Sequence, residues 1–198
     1  GMPRKRLTQR FPCLLPLRGW QKKTCRLLAM RLSGNRYATT IAPGRLPQAE
    51  FASASALINP RSGQDIRYQY NKAHNLRLAA NTLNGLLILP GETFSFFYLV
   101  RHADKRTPYK EGLVFADGRI TAAYGGGLCQ LSNLLFWMFL HTPLAVVERH
   151  GHAVQDFPPA ETGFPAGVDA TVSEGWRDLQ VKNATANTFQ LVVEVKEG

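Results

Sequence analysis

Hydrophobic residues recur at helical spacing in three segments of the chain. Positions 17–32 put leucines and one tryptophan on one side of a helix and basic residues on the other. Positions 69–84 carry apolar residues at similar spacing and end at Gly85, a residue typical of helix C-termini. A third helix is predicted over 129–141, and its residues 131–140 are apolar all round, which is typical of a buried helix. The pattern therefore predicts three helices, with the third at the centre of the fold.

Short β-branched and apolar runs predict strands around these helices. They lie at positions 86–89, 93–96, 144–152, 169–173, 178–182 and 189–195. Pro90-Gly91-Glu92 has the composition of a turn, and a polar hairpin is predicted near Asp117-Gly118. Because the central helix must be covered, we predict the α+β fold class, with a mainly antiparallel sheet wrapped around that helix.

Charge divides the chain near residue 50. Residues 1–50 carry 11 of the 24 Lys and Arg residues but a single acid, whereas residues 51–198 carry as many acidic as basic residues. We predict a basic N-terminal arm over 1–50, partly an amphipathic helix, and an α+β domain over 51–198. Lys22, Lys23 and Arg26 on the polar side would suit an anionic membrane surface. An equal alternative is that the helix packs on the domain with its lysines in water.

Several classes of partner and location are disfavoured by the sequence. No nucleic-acid motif accompanies the basic residues, so nucleic acid is not expected as a partner. Cys13, Cys25 and Cys129 are odd in number and widely spaced, which indicates a reducing compartment. No segment has the length of a transmembrane helix or the features of a signal peptide. We therefore expect a cytoplasmic protein, peripheral at the inner face of the membrane if the arm binds lipid.

One cysteine has a sequence context that favours reactivity. Cys129 follows Gly125-Gly126-Gly127-Leu128 and begins the third predicted helix. Free N–H groups and the macrodipole at a helix start stabilise a thiolate, and glycines let an anionic group approach the main chain. We therefore predict a catalytic thiol, with Gly125, Gly126, Gly127 and Gln130 binding substrate. The alternative is tight packing in which Cys129 is a small buried apolar residue.

Two histidines follow on the next predicted strand. Alternation puts Glu148, His150 and His152 on one side of it, and an antiparallel return would bring its end back to the level of the thiol. An imidazole there could accept the proton of Cys129, and Asp169 is the candidate that orients the ring.

Other interpretations of the histidine segment stay open. Asp156 is a second candidate for the orienting acid, and Glu148, Arg149 and His150 could simply form a solvated strand edge. The histidines could form a zinc site with Cys129 and a carboxylate, but no second ligand pair at zinc-like spacing supports it. No metal or cofactor is therefore predicted.

Several segments also resemble the VanW family, in the order found there and across residues 46–195. They are Asn71-Lys72, Asn75-Leu76, Pro90-Gly91-Glu92-Thr93-Phe94-Ser95-Phe96, Gly125-Gly126-Gly127-Leu128-Cys129-Gln130, His141-Thr142-Pro143-Leu144, Glu148-Arg149-His150-Gly151-His152 and Asp169-Ala170-Thr171-Val172.

The resemblance implies a function in vancomycin (glycopeptide) resistance, at peptidoglycan precursors or another cell-wall intermediate. Matched residue by residue, Cys129 and Gln130 fall in the GGGxCQ core, and His152 is the more regular histidine. His152 is therefore favoured as the base, His150 as auxiliary, and Arg149 as a substrate-binding residue. Two hypotheses follow: a cysteine hydrolase or acyltransferase acting on an amide of a precursor, or a non-catalytic binding module with a structural cysteine.

Overall fold

The fold is of the predicted α+β class. The computed structural model describes residues 15–58, 63, 65–116, 119–151, 165 and 167–196. The helices in these ranges are α1 (Leu15–Leu32), α2 (Ile66–Leu83), α3 (Phe96–Leu99) and α4 (Cys129–Leu140). The strands are β1 (Arg36–Tyr37), β2 (Leu86–Ile88), β3 (Glu92–Ser95), β4 (Glu111–Ala116), β5 (Arg119–Tyr124), β6 (Ala145–Glu148), β7 (Gln180–Lys182) and β8 (Phe189–Leu191). All three helices that the spacing predicts are therefore confirmed.

The strands form three small sheets. The largest has the order β1-β3-β7-β6, in which β1 runs parallel to β3 and the other neighbours are antiparallel. Strands β2 and β8 form an antiparallel pair, and β4 and β5 form the predicted hairpin. Antiparallel pairs therefore predominate, as predicted, but the short strands form three separate sheets.

The hydrophobic core lies between α2, α4 and the four-stranded sheet. Phe94 on β3, Leu83 on α2, Leu135 on α4 and Val181 on β7 are all fully buried in it. The rings of Phe94 and Phe139 lie 5.1 Å apart, which joins the sheet to α4. Helix α4 thus supplies one side to the core, and its first residue, Cys129, lies at the edge of this packed region.

Three predicted strands differ from the structure. The strand predicted at 144–152 covers Ala145–Glu148 in the described part of that segment, and the strand predicted at 189–195 covers Phe189–Leu191. The strand predicted at 169–173 is wrong apart from one isolated bridge at Ser173. Segment 169–173 is held instead by contacts with α4. Asn133 Oδ1 accepts the Ala170 N–H at 2.7 Å. This side-chain hydrogen bond takes the place of the backbone hydrogen bond that a neighbouring strand would provide.

Helix α1 contacts the rest of the chain through its basic side. Lys23 makes an ion pair with Asp104 and lies 4.0 Å from Glu174. The Lys22 ammonium lies 4.3 Å from the centroid of the Trp176 ring, at cation–π distance. The lysines of this helix are thus contacts to the domain.

A second group of contacts follows one turn along α1. Arg26 makes an ion pair with Glu148 and lies 3.7 Å from the buried carboxylate of Asp178, and Met30 is buried. The predicted helix is therefore confirmed, whereas a separate basic arm is not. The alternative in which the helix packs on the domain agrees with these contacts, except that Lys22 and Lys23 contact the domain and not only water. No helix in the described ranges is both long and apolar enough to cross a membrane.

Candidate functional site

The glycine loop between β5 and α4 has a backbone that only glycine can adopt. Gly125 and Gly127 have φ angles of 74° and 93°, in the left-handed region that disfavours other residues. A Cβ atom on Gly126 would lie 2.2 Å from the backbone of Gly112 on β4. The three glycines therefore let this loop turn while it lies directly against a neighbouring strand.

A buried asparagine holds the glycine loop in place. Asn75 on α2 is fully buried, and its side-chain amide donates to Lys110 O at 2.9 Å and Gly126 O at 3.0 Å. Its Oδ1 atom accepts the Lys110 N–H at 2.9 Å, and the Gly125 N–H donates to Lys110 O at 3.1 Å. The loop is thus fixed to both α2 and the start of β4.

Cys129 is the first residue of α4, as the sequence predicts, and it is half-buried. No side chain caps the helix, and within the described residues the N–H groups of Gly127, Leu128 and Cys129 have no acceptor. The Gln130 N–H instead donates to Gly127 O at 3.1 Å. A half-buried cysteine therefore lies beside backbone donors that can bind an anion.

The segment 169–172 lies beside the thiol. Cys129 Sγ is 3.7 Å from Val172 O, to which the thiol can donate. The Thr171 N–H donates to His150 O at 2.7 Å, so His150 and Cys129 contact adjacent residues of this segment. Thr171 Oγ1 is buried and has no hydrogen-bond partner among the described residues. A buried hydroxyl without a partner is uncommon in folded proteins, so this one, on the residue before Val172, is a candidate for contact with a ligand.

Arg149 and Asp169, both predicted site residues, contact each other. The guanidinium donates to Asp169 Oδ1 at 2.7 Å, to Asp169 O at 2.6 Å and to Gly167 O at 2.7 Å. It also lies over the ring of Phe136, with 5.1 Å to the centroid. Arg149 thus fixes the segment that carries Asp169 against α4.

His150 is paired with an acid other than Asp169. Its Nε2 atom lies 3.0 Å from Glu148 Oε1, in agreement with the predicted alternation that puts both side chains on one side. The same carboxylate makes an ion pair with Arg26 and accepts the Asp178 N–H at 3.2 Å. His152 and Asp156 lie outside the described residues, so the role predicted for His152 stays a prediction.

The Gln130 side chain connects α4 to the segment that follows α1. Its amide donates to Ala56 O at 2.7 Å and to Ser55 Oγ at 3.1 Å. These contacts hold residues 55–56 next to the start of α4, close to Cys129. In this structure, therefore, the amide that was predicted to bind substrate makes hydrogen bonds to residues 55–56.

Comparison with known proteins identifies the family of this chain. The family model described as "VanW like protein" matches residues 71–198. The chain is 57% identical over 196 residues to "Vancomycin B-type resistance protein VanW" of Enterococcus faecalis (strain ATCC 700802 / V583), covering 99% of this chain and 71% of that protein. The chain belongs to the VanW family. The resemblance found in the sequence motifs is therefore confirmed.

A second relative is more distant. The VanW-family chain is 29% identical over 143 residues to "Uncharacterized protein YoaR" of Bacillus subtilis (strain 168). The matched region covers 69% of this chain and 45% of that protein. No solved structure matches this chain.

Sequence reasoning missed one residue of this VanW-family site, Lys72 on α2. Its aliphatic carbons pack on the glycine loop, where a Cβ atom on Gly127 would lie 2.2 Å from Lys72 Cγ. Burial lowers the pKa of its amine, and no carboxylate pairs with it among the described residues. Asn71-Lys72 is one of the family motifs, which is the signal that could have identified it.

The described residues contain no group of three or more His, Cys, Asp or Glu side chains that could hold a metal ion. The site that the structure does describe is built around one thiol, open backbone donors and a half-buried lysine. Such a set is suited to binding an anionic or carbonyl group.

Proposed function

We propose that this VanW-family chain functions in glycopeptide resistance by acting on a peptidoglycan precursor. The Enterococcus faecalis relative is named for B-type vancomycin resistance, and its similarity extends over almost the whole chain. We also propose a cytoplasmic location. The free thiols of Cys25 and Cys129 support it, since a reducing compartment keeps thiols unpaired.

The proposed reaction is hydrolysis or acyl transfer at an amide of the precursor. The proton of Cys129 passes to His152, and the thiolate attacks the amide carbonyl carbon. The N–H groups of Gly127, Leu128 and Cys129 stabilise the oxyanion. Collapse of the intermediate releases an amine, which takes its proton from His152, and leaves a thioester. Water or a second amine then attacks the thioester and restores the thiol.

One observation carries this proposal. A half-buried thiol stands at the first residue of α4 beside three backbone donors that have no acceptor in the described part of the chain. We assign Asp169, held by Arg149, to orienting the base, and His150 with Glu148 to an auxiliary position. Lys72, whose aliphatic carbons pack on the glycine loop, supplies a positive charge to the site.

Thiol alkylation tests the nucleophile. In a Cys13→Ser/Cys25→Ser variant, Cys129 is the remaining cysteine, and its iodoacetamide labelling is measured across a pH series. We expect an apparent pKa well below about 8.5, the ordinary value of a free thiol. His152→Ala should slow labelling near pH 7, whereas His141→Ala is the matched control, because the His141 ring stacks on Phe51.

A binding module is the second candidate function, and one observation favours it. The thiol faces Val172 O, and the Ser132 hydroxyl donates to Ala170 O at 2.6 Å, so polar side chains at the start of α4 hold the backbone in place. In this case the glycine loop binds a carboxylate or phosphate of the precursor, and Cys129 packs. Labelling of Cys129 only above about pH 8.5, or not at all in the folded protein, would favour this function instead.

A further inference from the structure

Helix α1 leaves its apolar side exposed. Leu17, Trp20, Leu28 and Leu32 are 61%, 64%, 53% and 84% exposed. At 3.6 residues per turn these four side chains lie within an arc of roughly 120° along a helix about 27 Å long. Gln21, Thr24 and Arg31 lie within the same arc. The exposed surface that the four apolar side chains form, which we call the apolar face of α1, is therefore interrupted by polar residues.

The apolar face is exposed because the opposite side of the helix is attached to the domain. Lys23 and Arg26 pair with acidic groups there, and Met30 is buried. An amphipathic helix on a water-soluble domain normally packs with its apolar side inward. Keeping a leucine side chain in water forgoes about 1.5–3 kcal/mol relative to full burial, so the apolar face is expected to have a partner.

Basic residues before and within α1 indicate which partner the apolar face fits. Arg4, Lys5, Arg6 and Arg10 precede the helix in sequence, and Arg31 is exposed on α1 next to Leu32. The face itself combines leucines with a tryptophan, a residue whose ring prefers the boundary between lipid headgroups and acyl chains. Exposed apolar side chains on a helix that follows a basic segment in the sequence match an anionic lipid surface.

We propose that α1 lies in the plane of an anionic bilayer surface and inserts Leu17, Trp20, Leu28 and Leu32 at the acyl boundary. The basic side of the helix holds the domain, so lipid binding and domain docking use opposite sides. The sequence predicts lipid contact through Lys22, Lys23 and Arg26. Because these three residues contact the domain instead, we assign lipid binding to the apolar face. The proposal goes beyond the proposed function and does not depend on the chemistry of Cys129.

Vesicle binding by the full chain tests this proposal. The probes are phosphatidylglycerol–phosphatidylcholine vesicles and pure phosphatidylcholine vesicles, with cosedimentation as the measurement. Leu28→Gln/Leu32→Gln removes half of the apolar face, and we expect binding to the anionic vesicles to fall at least about tenfold. Leu46→Gln/Tyr70→Gln is the matched control, because it removes two exposed apolar side chains elsewhere and should leave binding unchanged.

Further measurements separate this proposal from its alternatives. Tryptophan emission should shift to the blue on anionic vesicles, and Trp20→Phe should abolish the shift. Thermal unfolding midpoints should match among the variants, and iodoacetamide labelling of Cys129 should be unchanged. The proposal is overturned if the unmodified chain does not bind anionic vesicles, or if both double variants lose binding equally. It is also overturned if sedimentation velocity shows a dimer that Leu28→Gln/Leu32→Gln dissociates, because the face would then join two copies of the chain.

Discussion

Single residues fix the candidate site through contacts between distant parts of the chain. Asn75 lies 51 positions before Gly126 and holds it through a buried hydrogen bond. Local sequence was sufficient to predict Cys129 at the start of a helix, because glycines and an apolar run are local signals. It could not predict Asn75 or Lys72 at the same loop, because their partners are set by tertiary packing. Alternation predicted that Glu148 and His150 share a side, but not that Asp169 pairs with Arg149.

Asn75→Ala should destabilise the protein strongly. The buried Asn75 side chain loses three hydrogen bonds, and backbone groups are left unpaired, so the free energy of unfolding should fall by about 3 kcal/mol. Urea denaturation measures the change. Asn71→Ala is the control, because Asn71 on the same helix makes one exposed hydrogen bond, to Glu111 O at 2.8 Å. This substitution should lower the free energy of unfolding by about 1 kcal/mol. Equal losses in the two variants would show that the buried network does not stabilise the loop.

At the scale of elements, periodicity identified α1 but not the side that faces the domain. Sequence alone favours an apolar side turned inward, because burial of leucine is the general driving force. Four acidic residues from distant segments overturn this expectation, because they attract the basic side of the helix. They are Asp104, Glu148, Glu174 and Asp178. The segment 169–173 shows the same limit, since side chains of α4 take the place of a partner strand.

Arg26→Met should loosen α1. The methionine keeps an unbranched stem but removes the cation that lies between Glu148 and Asp178, which leaves two carboxylates uncompensated. Hydrogen exchange of backbone amides in 15–32 should accelerate about tenfold or more. Arg45→Met is the control, because Arg45 is exposed and pairs with Glu194 away from α1. Unchanged exchange in Arg26→Met would mean that the ion pairs do not hold the helix.

For the whole molecule, composition and pattern predicted the α+β class but not the division into three sheets. Two acids near α1, the half-buried Glu174 and the buried Asp178, also give the fold a dependence on pH. Burial raises the pKa of Glu174, although the His102 N–H and the charge of Lys23 act in the opposite direction. Burial likewise raises the pKa of Asp178, against hydrogen bonds from Phe97 N–H and Ser95. The folded protein therefore binds protons at these sites more tightly than the unfolded chain.

Glu174→Gln should reduce this pH dependence. The contribution of Glu174 to stability is fully present below the pKa of an unfolded glutamate, about 4.3, and is lost as pH rises through the raised folded pKa. Relative to Glu174→Gln, the unmodified protein should be more stable at pH 4 than at pH 7. Urea denaturation of both proteins at several pH values measures the difference. The prediction would be contradicted if the stability of the unmodified protein relative to Glu174→Gln stayed constant, or increased, as the pH rises.

Glu148 has a geometric consequence, because one carboxylate contacts both Arg26 on α1 and His150 beside the candidate site. An α-helix with its side chains is about 10–12 Å across. If the outer surface of α1 rests on lipid, His150 stands little more than one such width above the headgroups. A precursor whose own anchor is embedded in that leaflet could then reach the thiol by lateral diffusion, without leaving the membrane.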